Sequence, residues 1–343
     1  MRLASALRER GCSVQLERFC GYSTFAAGAP GPIRALAPLL GPALIAAEDG
    51  LVFRPLSRLL SRRPSTNLVA TVEPRQQARR TACLVCHLDT SRSGLIFDPR
   101  LLPWLHRWIG VQAAALALSA ASPLLRRRRA SRTLLHVVRA VLGAALLLLL
   151  ERELRGADVP GANDDASGVA AVATPISELA ADPLPRTRVL ALFTGCEEAG
   201  VLGADAFLRA RDADSGPAKD WRRWLFLNFD GVGAPATLRY LRREGVLRKW
   251  GADPALIELA ESVARRRPEL GLSGTDHNAG LTYDSTQPLA RGGRAITLSA
   301  QDRTIPNYHA GTDTPENLDP DVLERAIEAG REMLAAIDRG QAD

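Results

Sequence analysis

The sequence predicts an α/β protein in which helices cover both faces of a largely parallel sheet. Short runs rich in Val, Leu and Phe alternate along the chain with amphipathic segments of ten residues or more, which is the pattern of repeated strand–helix units. Acidic and histidine residues follow several of the apolar runs, at the sheet edge where ligands collect in such folds. With 46% hydrophobic and 24% charged residues, the composition is that of a globular protein.

The strands and helices follow from periodicity and from capping residues. The strands are predicted at Cys12–Phe19, Asn67–Val72, Thr81–His87, Arg188–Phe193, Trp224–Phe229 and Ala295–Leu298. The helices are predicted at 2–10, Val169–Ala181, Val201–Arg211, Pro254–Arg267 and Asp319–Arg339. The last helix has two candidate caps, Asp319 and Asn317.

Two apolar insertions interrupt a single domain, which is expected to span 1–343. The first covers 29–63 and carries one apolar run broken by proline and glycine. The second covers 98–155 and is predicted to form a helical hairpin from 109–125 and 134–150, with arginines at its turn. Each apolar run is at or below the ~18–20 residues that a membrane-crossing helix needs.

Charge and cysteine content limit the classes of partner. The net charge of +6 comes mostly from arginine, and it fits either an arginine-rich composition or a face directed towards anionic lipid. Aromatic residues are not interleaved with basic ones, so we expect no nucleic-acid partner. Five cysteines in a chain of this size indicate no disulfide framework, and Cys83, Cys86 and Cys196 are expected to be packing residues. Residues 1–11 do not form a recognisable secretion signal.

Five residues of metal-ligand type each lie at the end of an apolar run or in a turn rich in small residues. They are His87, Asp164, Glu198, Asp230 and His309. Two histidines and three carboxylates suit two zinc ions that share one bridging carboxylate. Glu197 lies next to a candidate ligand, where a general base is needed.

Each of these patterns has a commoner structural explanation when it is taken singly, such as a solvated acidic pair or acids at a helix start. Taken together they indicate a division of roles. Asp164 is the expected bridging ligand and Asp165 is expected to orient its turn. Alternation along a strand would place Asp89 on the same side as His87, where its carboxylate could hold the imidazole.

The motifs resemble those of the di-zinc aminopeptidases of metallopeptidase family 28, a family that also contains glutaminyl cyclases and glutamate carboxypeptidases. The matching segments are His-x-Asp, Gly-Ala-Asn-Asp-Asp-Ala-Ser-Gly, Glu-Glu-Ala-Gly, Asn-Phe-Asp and His-x-x-x-Asp-Thr, in the family's order. A weaker match is Thr275-Asp276-His277, which resembles a stretch on the substrate side. The resemblance implies a three-layer α/β/α sandwich with a mostly parallel mixed central sheet.

The resemblance also implies the roles of individual residues. His87 and Asp230 would bind one zinc, Glu198 and His309 the other, and Asp164 both, while the Asp164–Asp165 peptide bond would be cis. Glu197 would be the general base, and Asp89 would support the site. The expected activity is removal of N-terminal residues from peptides. A mono-zinc glutaminyl-cyclase-like transferase and a non-catalytic binding module are the alternatives.

The insertions leave the location of the protein open. They resemble those of membrane-associated bacterial members of the family, and the hairpin of 109–125 and 134–150 could cross a membrane twice. Because His87 and Asp164 must meet at one site, the segment between them can only cross an even number of times. The alternative is a soluble, cytoplasmic protein in which the insertions form a cap over the active site.

Overall fold

The computed structural model describes residues 2–21, 63–120, 129–277 and 281–342 of the 343-residue chain. Its strands are β1 Ser13–Gly21, β2 Arg63–Val72, β3 Arg80–His87, β4 Thr187–Thr194, β5 Leu225–Phe229, β6 Leu238–Leu241, β7 Arg243–Glu244, β8 Trp250–Gly251, β9 Ser273–Thr275 and β10 Arg294–Ala300. Its α-helices are α1 Arg2–Glu9, α2 Leu105–Ala120, α3 Arg129–Arg155, α4 Gly168–Ala181, α5 Leu202–Asp212, α6 Pro254–Arg266, α7 Thr286–Ala290 and α8 Pro320–Asp338.

Eight strands form one mixed sheet in the order β1-β2-β4-β3-β5-β10-β6-β9. The four central strands β4, β3, β5 and β10 run parallel, while β2 and β6 run antiparallel to the neighbours that link them to this centre. Parallel strands need helical crossovers, and these cover both faces of the sheet. The predicted α/β/α sandwich with a mostly parallel mixed sheet is confirmed.

Alternation along β3 divides the core between the two faces. Ala82, Leu84 and Cys86 pack with residues of α4, α6 and α8 on one face. Cys83 and Val85 pack with Phe207 and Trp221 on the other face. The two cysteines of the Cys-x-x-Cys are therefore buried on opposite faces, as expected for packing residues.

Among the described residues, every predicted strand and helix of the α/β domain is present with shifted ends, and the structure adds four short strands and the short helix α7. The strands β6 to β9 have only two to four residues, too few to show a period. The last helix begins at Pro320, and the Asp319 carboxylate accepts hydrogen bonds from the backbone N–H groups of Asp321 and Val322. Of the two predicted caps, the structure selects Asp319.

The second insertion is a helical hairpin whose two ends meet. Helices α2 and α3 pack against each other. At the base of the hairpin, Arg92 pairs with Asp158 in an antiparallel bridge, and the backbone N–H of Ser93 donates to the carbonyl oxygen of Ala157 at 2.9 Å. The chain thus enters and leaves the insertion at one place. The arginine turn lies partly, and the 29–63 insertion almost wholly, outside the described residues.

Candidate metal centre

The predicted metal ligands meet at the carboxyl edge of the parallel strands. His87 is the last residue of β3, Glu198 lies four residues after β4, and Asp230 directly follows β5. Asp164 lies in the turn before α4, and His309 lies in the loop after β10. Because these neighbouring strands end at the same edge, residues far apart in the sequence face one site.

The five side chains form two groups that share Asp164. His87 Nε2 lies 3.0 Å from Asp164 Oδ1 and 3.8 Å from Asp230 Oδ2. His309 Nε2 lies 3.3 Å from Asp164 Oδ2 and 3.0 Å from Glu198 Oε2. Within each group one donor atom per residue lies within 4.8 Å of the others. Each oxygen of Asp164 therefore faces a different group.

Burial and mutual charge shape the protonation of this cluster. Burial would raise the pKa of Asp164, but hydrogen bonds from His309 and His87 hold it well below its usual range. Burial would lower the pKa of His309, but the charge of Glu198 and the hydrogen bond with Asp164 raise it to about 9. Burial, followed by repulsion from Asp165, raises the pKa of Asp230 well above its usual range. The site therefore holds more buried acid than its two histidines neutralise.

The donor set fits divalent zinc. Nitrogen and carboxylate oxygen are both zinc ligands, and a divalent ion offsets the repulsion that otherwise keeps buried acids protonated. Glu198 Oε1 is also buried without a hydrogen-bond partner among the described residues. A buried acceptor of this kind costs free energy unless a donor or a cation meets it.

The turn that carries Asp164 is held by acceptors on both sides. Asp165 accepts hydrogen bonds from the backbone N–H groups of His87, Gly168 and Gly231, at 3.1, 2.9 and 3.1 Å. It thereby ties the turn to the ends of β3 and β5, in agreement with the orienting role expected for it. The Asp164–Asp165 peptide bond is cis. Asp313, which was not predicted as a site residue, accepts from the N–H groups of Asn163 and Asp164 at 2.8 and 3.1 Å.

Asp89 contacts the His87 imidazole most closely through its backbone carbonyl oxygen, and its carboxylate lies farther away. His87 Nδ1 lies 2.9 Å from the backbone carbonyl oxygen of Asp89 and 3.8 Å from its carboxylate. The carboxylate instead accepts hydrogen bonds from the backbone N–H groups of Glu197 and Glu198, at 3.0 and 3.2 Å. Strand alternation does not apply at Asp89 because β3 ends at His87. Since a carbonyl oxygen only accepts hydrogen bonds, Nδ1 carries the proton of the neutral imidazole. The lone pair of Nε2 is then available to a metal ion.

Glu197 is buried beside the two groups. Burial first, and then repulsion from Asp230, Asp284 and Glu198, raise its pKa well above the usual range, against the opposing charge of His87. Cys196, directly before it, has a left-handed φ of 57°, uncommon for a residue other than glycine. The Cys196 thiol has its pKa raised by burial, which suits a packing residue and not a nucleophile.

The second imidazole is supported by residues that the sequence did not single out. Ser91 Oγ lies 3.2 Å from His309 Nδ1, and Arg152 donates to the same oxygen at 2.9 Å. The Tyr308 ring stacks on the His309 ring, and the Phe97 ring meets it edge-on with 4.4 Å between centroids. Sequence periodicity offers no signal for such contacts, because they join a loop to the end of an insertion.

A cleft of about 270 Å³ opens onto Glu197, Glu198 and His309. One wall belongs to the catalytic domain and includes Val246 and Leu281. Another wall comes from the turn Leu95–Phe97 and from the insertion that follows it, and consists of Ile96, Phe97, Leu105, Ile109, Gln112 and Arg152. His277, from the weaker substrate-side match, is exposed and lies 2.8 Å from the carbonyl oxygen of Arg303, outside this lining.

Residues 149–334 match the sequence model of peptidase family M28. The chain belongs to peptidase family M28. The matched region contains Asp164, Glu197, Glu198, Asp230 and His309. Membership of this family, together with the nitrogen and oxygen donors of the site, supports a zinc metallopeptidase type of function. A search of curated protein sequences gave no match.

Solved structures share the M28 fold at low sequence identity. A zinc-dependent exopeptidase from Parabacteroides distasonis is 15% identical, with 98% of this chain and 87% of that one covered and a TM-score of 0.57. A glutaminyl cyclase from Porphyromonas gingivalis is 14% identical, with 97% and 87% covered and a TM-score of 0.56.

A zinc aminopeptidase from Bacillus subtilis is 16% identical, with 81% of this chain covered and a TM-score of 0.51. This chain spans about half of that structure, 51% of its length. Because enzymes with different activities share the fold, the fold alone does not distinguish between the aminopeptidase and the cyclase reactions.

Proposed function

We propose that the protein is a zinc aminopeptidase that uses two zinc ions to hydrolyse the N-terminal peptide bond of its substrates. His87 and Asp230 would hold one ion, Glu198 and His309 the other, and Asp164 both. The observation that carries this proposal is the position of Asp164, whose two oxygens face the two imidazoles at 3.0 and 3.3 Å. A carboxylate shared in this way suits a pair of ions.

Zinc, when bound, lowers the pKa of a coordinated water and polarises the scissile carbonyl. The protein's own groups would handle the protons. Glu197 would accept a proton from the attacking water and then donate it to the leaving amine, as a general base with a raised pKa does near neutral pH. The Asp89 carboxylate fixes the backbone of Glu197 and Glu198, so that the base and its neighbouring ligand keep their relative positions.

The test combines metal content with a substrate screen. We expect elemental analysis to give about two zinc ions per chain, and aminoacyl p-nitroanilides to be hydrolysed while their N-acetylated forms are not. Full activity after exhaustive chelation would contradict the proposal. One zinc per chain, together with cyclisation of N-terminal glutamine, would instead establish the glutaminyl-cyclase-like alternative. Zinc binding without turnover of either substrate type would indicate a non-catalytic module.

We further propose that the hairpin associates with a membrane. Among the described residues, one helix, over Thr133–Arg152, has the 20 residues and the apolar composition that a membrane span needs. A core helix of a soluble protein passes the same test, but such a helix is mostly buried, whereas 18% of this stretch is buried. The joined ends of the insertion agree with a pair of crossings that leaves the catalytic domain on one side.

A further inference from the structure

A second apolar space lies beside the cleft, between the hairpin and the short turns before it. It measures about 250 Å³ and is lined by Ile96, Leu101, Trp104, Leu105, Trp108 and Leu148. Two of these residues, Ile96 and Leu105, also line the cleft that contains Glu197 and His309. The apolar pocket and the cleft are therefore neighbours that share one wall.

The turn Leu95–Phe97 places this wall against the metal centre. Phe97 lies edge-on to the His309 ring, and Ile96 next to it faces both spaces. On helix α2, Leu105 and Ile109 are one turn apart and line the cleft together, and Trp108 between them lines the pocket. Ile96 and Leu105 therefore form the boundary between the two spaces, and a hydrocarbon chain attached to a group at the metal centre would have to pass these two side chains to enter the pocket.

The lining determines what could enter the pocket. Its side chains are hydrocarbon except for the indole N–H groups, and the Nε1 of Trp108 is buried without a hydrogen-bond partner among the described residues. A peptide backbone placed there would leave its N–H groups unsatisfied, because the lining side chains carry no acceptor and offer only indole N–H groups to a C=O. A hydrocarbon chain loses no hydrogen bonds and gains burial. The volume also exceeds the ~150 Å³ of an apolar cavity that binds benzene.

We propose that the apolar pocket is a subsite for a hydrocarbon chain carried by the substrate, which makes the preferred substrate an amphiphilic peptide or amino-acid amide. The inference rests on the proposed peptidase function. The chain can be attached on either side of the scissile bond. It belongs either to the leaving amine or to the side chain of the N-terminal residue, and two substrate series distinguish these sources.

The first series consists of leucine n-alkylamides of increasing length, and the second of linear 2-aminoalkanoyl p-nitroanilides. Zinc-loaded full-length protein is used in digitonin, a detergent without a linear alkyl chain. In one series kcat/KM is expected to rise by up to about fourfold per buried methylene and then to level off. Leu148→Trp fills the pocket and should abolish the rise. Leu147→Trp is the matched control, because Leu147 is the next residue of the same helix and is 68% exposed.

A further variant keeps the test valid if Leu148→Trp does not fold. Leu148→Ala enlarges the pocket and should move the plateau to longer chains. The subsite is rejected if neither series depends on length, or if Leu148→Trp and Leu147→Trp give the same dependence.

Leucine p-nitroanilide tests the proposed function separately. If zinc-loaded protein does not hydrolyse it, the peptidase proposal fails. Binding of 11-(dansylamino)undecanoic acid to metal-free protein then still tests the pocket, with loss expected in Leu148→Trp and not in Leu147→Trp. The subsite is also rejected if the enzyme is active and binds this probe but kcat/KM does not depend on chain length in either substrate series.

Discussion

Asp164 and Asp165 carry the same side chain at neighbouring positions, yet the fold gives them opposite proton affinities. Two imidazoles hold the pKa of Asp164 below its usual range against the effect of burial. Burial raises the pKa of Asp165 to about 8, although its carboxylate accepts three backbone N–H groups. The first residue thus presents an ionised carboxylate to both ligand groups, and the second anchors the turn.

Asp164→Ala should therefore remove metal from both groups at once. It deletes an oxygen from each, whereas a change at Asp230 or Glu198 affects one group. We expect bound zinc to fall from about two ions to one or none, together with peptidase activity. Elemental analysis of the purified variant measures the first effect. Retention of two zinc ions by a folded Asp164→Ala protein would refute the bridging role.

Glu197→Gln should separate catalysis from metal binding. The amide keeps the shape of the side chain but cannot accept the proton, so the rate should fall by ~10²–10⁴-fold while zinc content stays unchanged. Glu198→Gln is the matched control on the next residue, and it should lose zinc. The opposite pattern would show that the two glutamates have exchanged roles.

At the scale of secondary-structure elements, the insertion is not an appendage to the catalytic domain. The end of α3 supplies Arg152, which donates to Ser91, and Ser91 in turn contacts His309. Arg152 also donates to the carbonyl oxygen of Arg92 at 3.3 Å and lies over the Phe97 ring. The position of the hairpin on the α/β domain is thus coupled to the orientation of His309, a candidate ligand.

Ser91→Ala tests this coupling. Loss of the hydroxyl frees the imidazole of His309 to rotate, and outer contacts of this kind typically change metal affinity by ~10–100-fold. Competition with a chromogenic zinc chelator measures the affinity. Ser93→Ala is the matched control, since Ser93 is half-buried and joins the same hairpin base to Ala157. Equal zinc affinity in both variants would show that Ser91 does not support His309.

The exposed surface of the hairpin indicates whether the protein fractionates with membranes or with soluble proteins. Leu146, Leu147 and Leu154 are 57, 68 and 80% exposed, an arrangement suited to lipid and unfavourable in water. We expect full-length protein in the membrane fraction, resistant to high salt and released by detergent. A monodisperse protein in the high-speed supernatant without detergent would instead support a soluble cap.

The sequence predicts the elements of the catalytic domain and the residues that meet at its metal centre, because both depend on local periodicity and on strand ends. It does not predict β6 to β9, which are too short to show a pattern. It also does not predict that the backbone carbonyl of Asp89 is the closer partner of His87, since alternation stops where β3 ends. The sequence does not predict that Ser91, Arg152 and Asp284 lie at the site. Tertiary contacts between distant segments bring these residues there, and the sequence around each of them shows no pattern that indicates such contacts.

At the scale of the whole molecule, the buried acids make the stability of the metal-free protein depend on pH. Burial raises the pKa of Asp165 to about 8 and that of Asp284 to about 7. The pKa of His309 is about 9, raised mainly by Glu198 against the effect of burial. A group whose pKa is higher in the folded state stabilises the protein below its unfolded pKa. That contribution is lost as the pH rises through the folded value.

The three shifts have the same sign, so the free energy of unfolding of metal-free protein should fall between about pH 4 and pH 9. The lowered pKa of Asp164 acts in the opposite direction, but only below about pH 4, where its unfolded form takes up a proton. Bound zinc offsets the repulsion between the acids and competes with protons for the imidazoles. Zinc should therefore stabilise the protein more at pH 8.5 than at pH 6.

Thermal unfolding of chelated and zinc-loaded protein at these two pH values measures the effect, with Tm changing by about 1–2 °C per kcal/mol for a chain of this length. Asp284→Asn is the control variant, since it removes one buried acid that is not a candidate ligand and should reduce the pH dependence of the metal-free protein. If the Tm of metal-free protein stays constant or rises from pH 6 to pH 8.5, the buried acids do not set its stability. Zinc would then be needed for chemistry and not to hold the carboxyl edge of the sheet together.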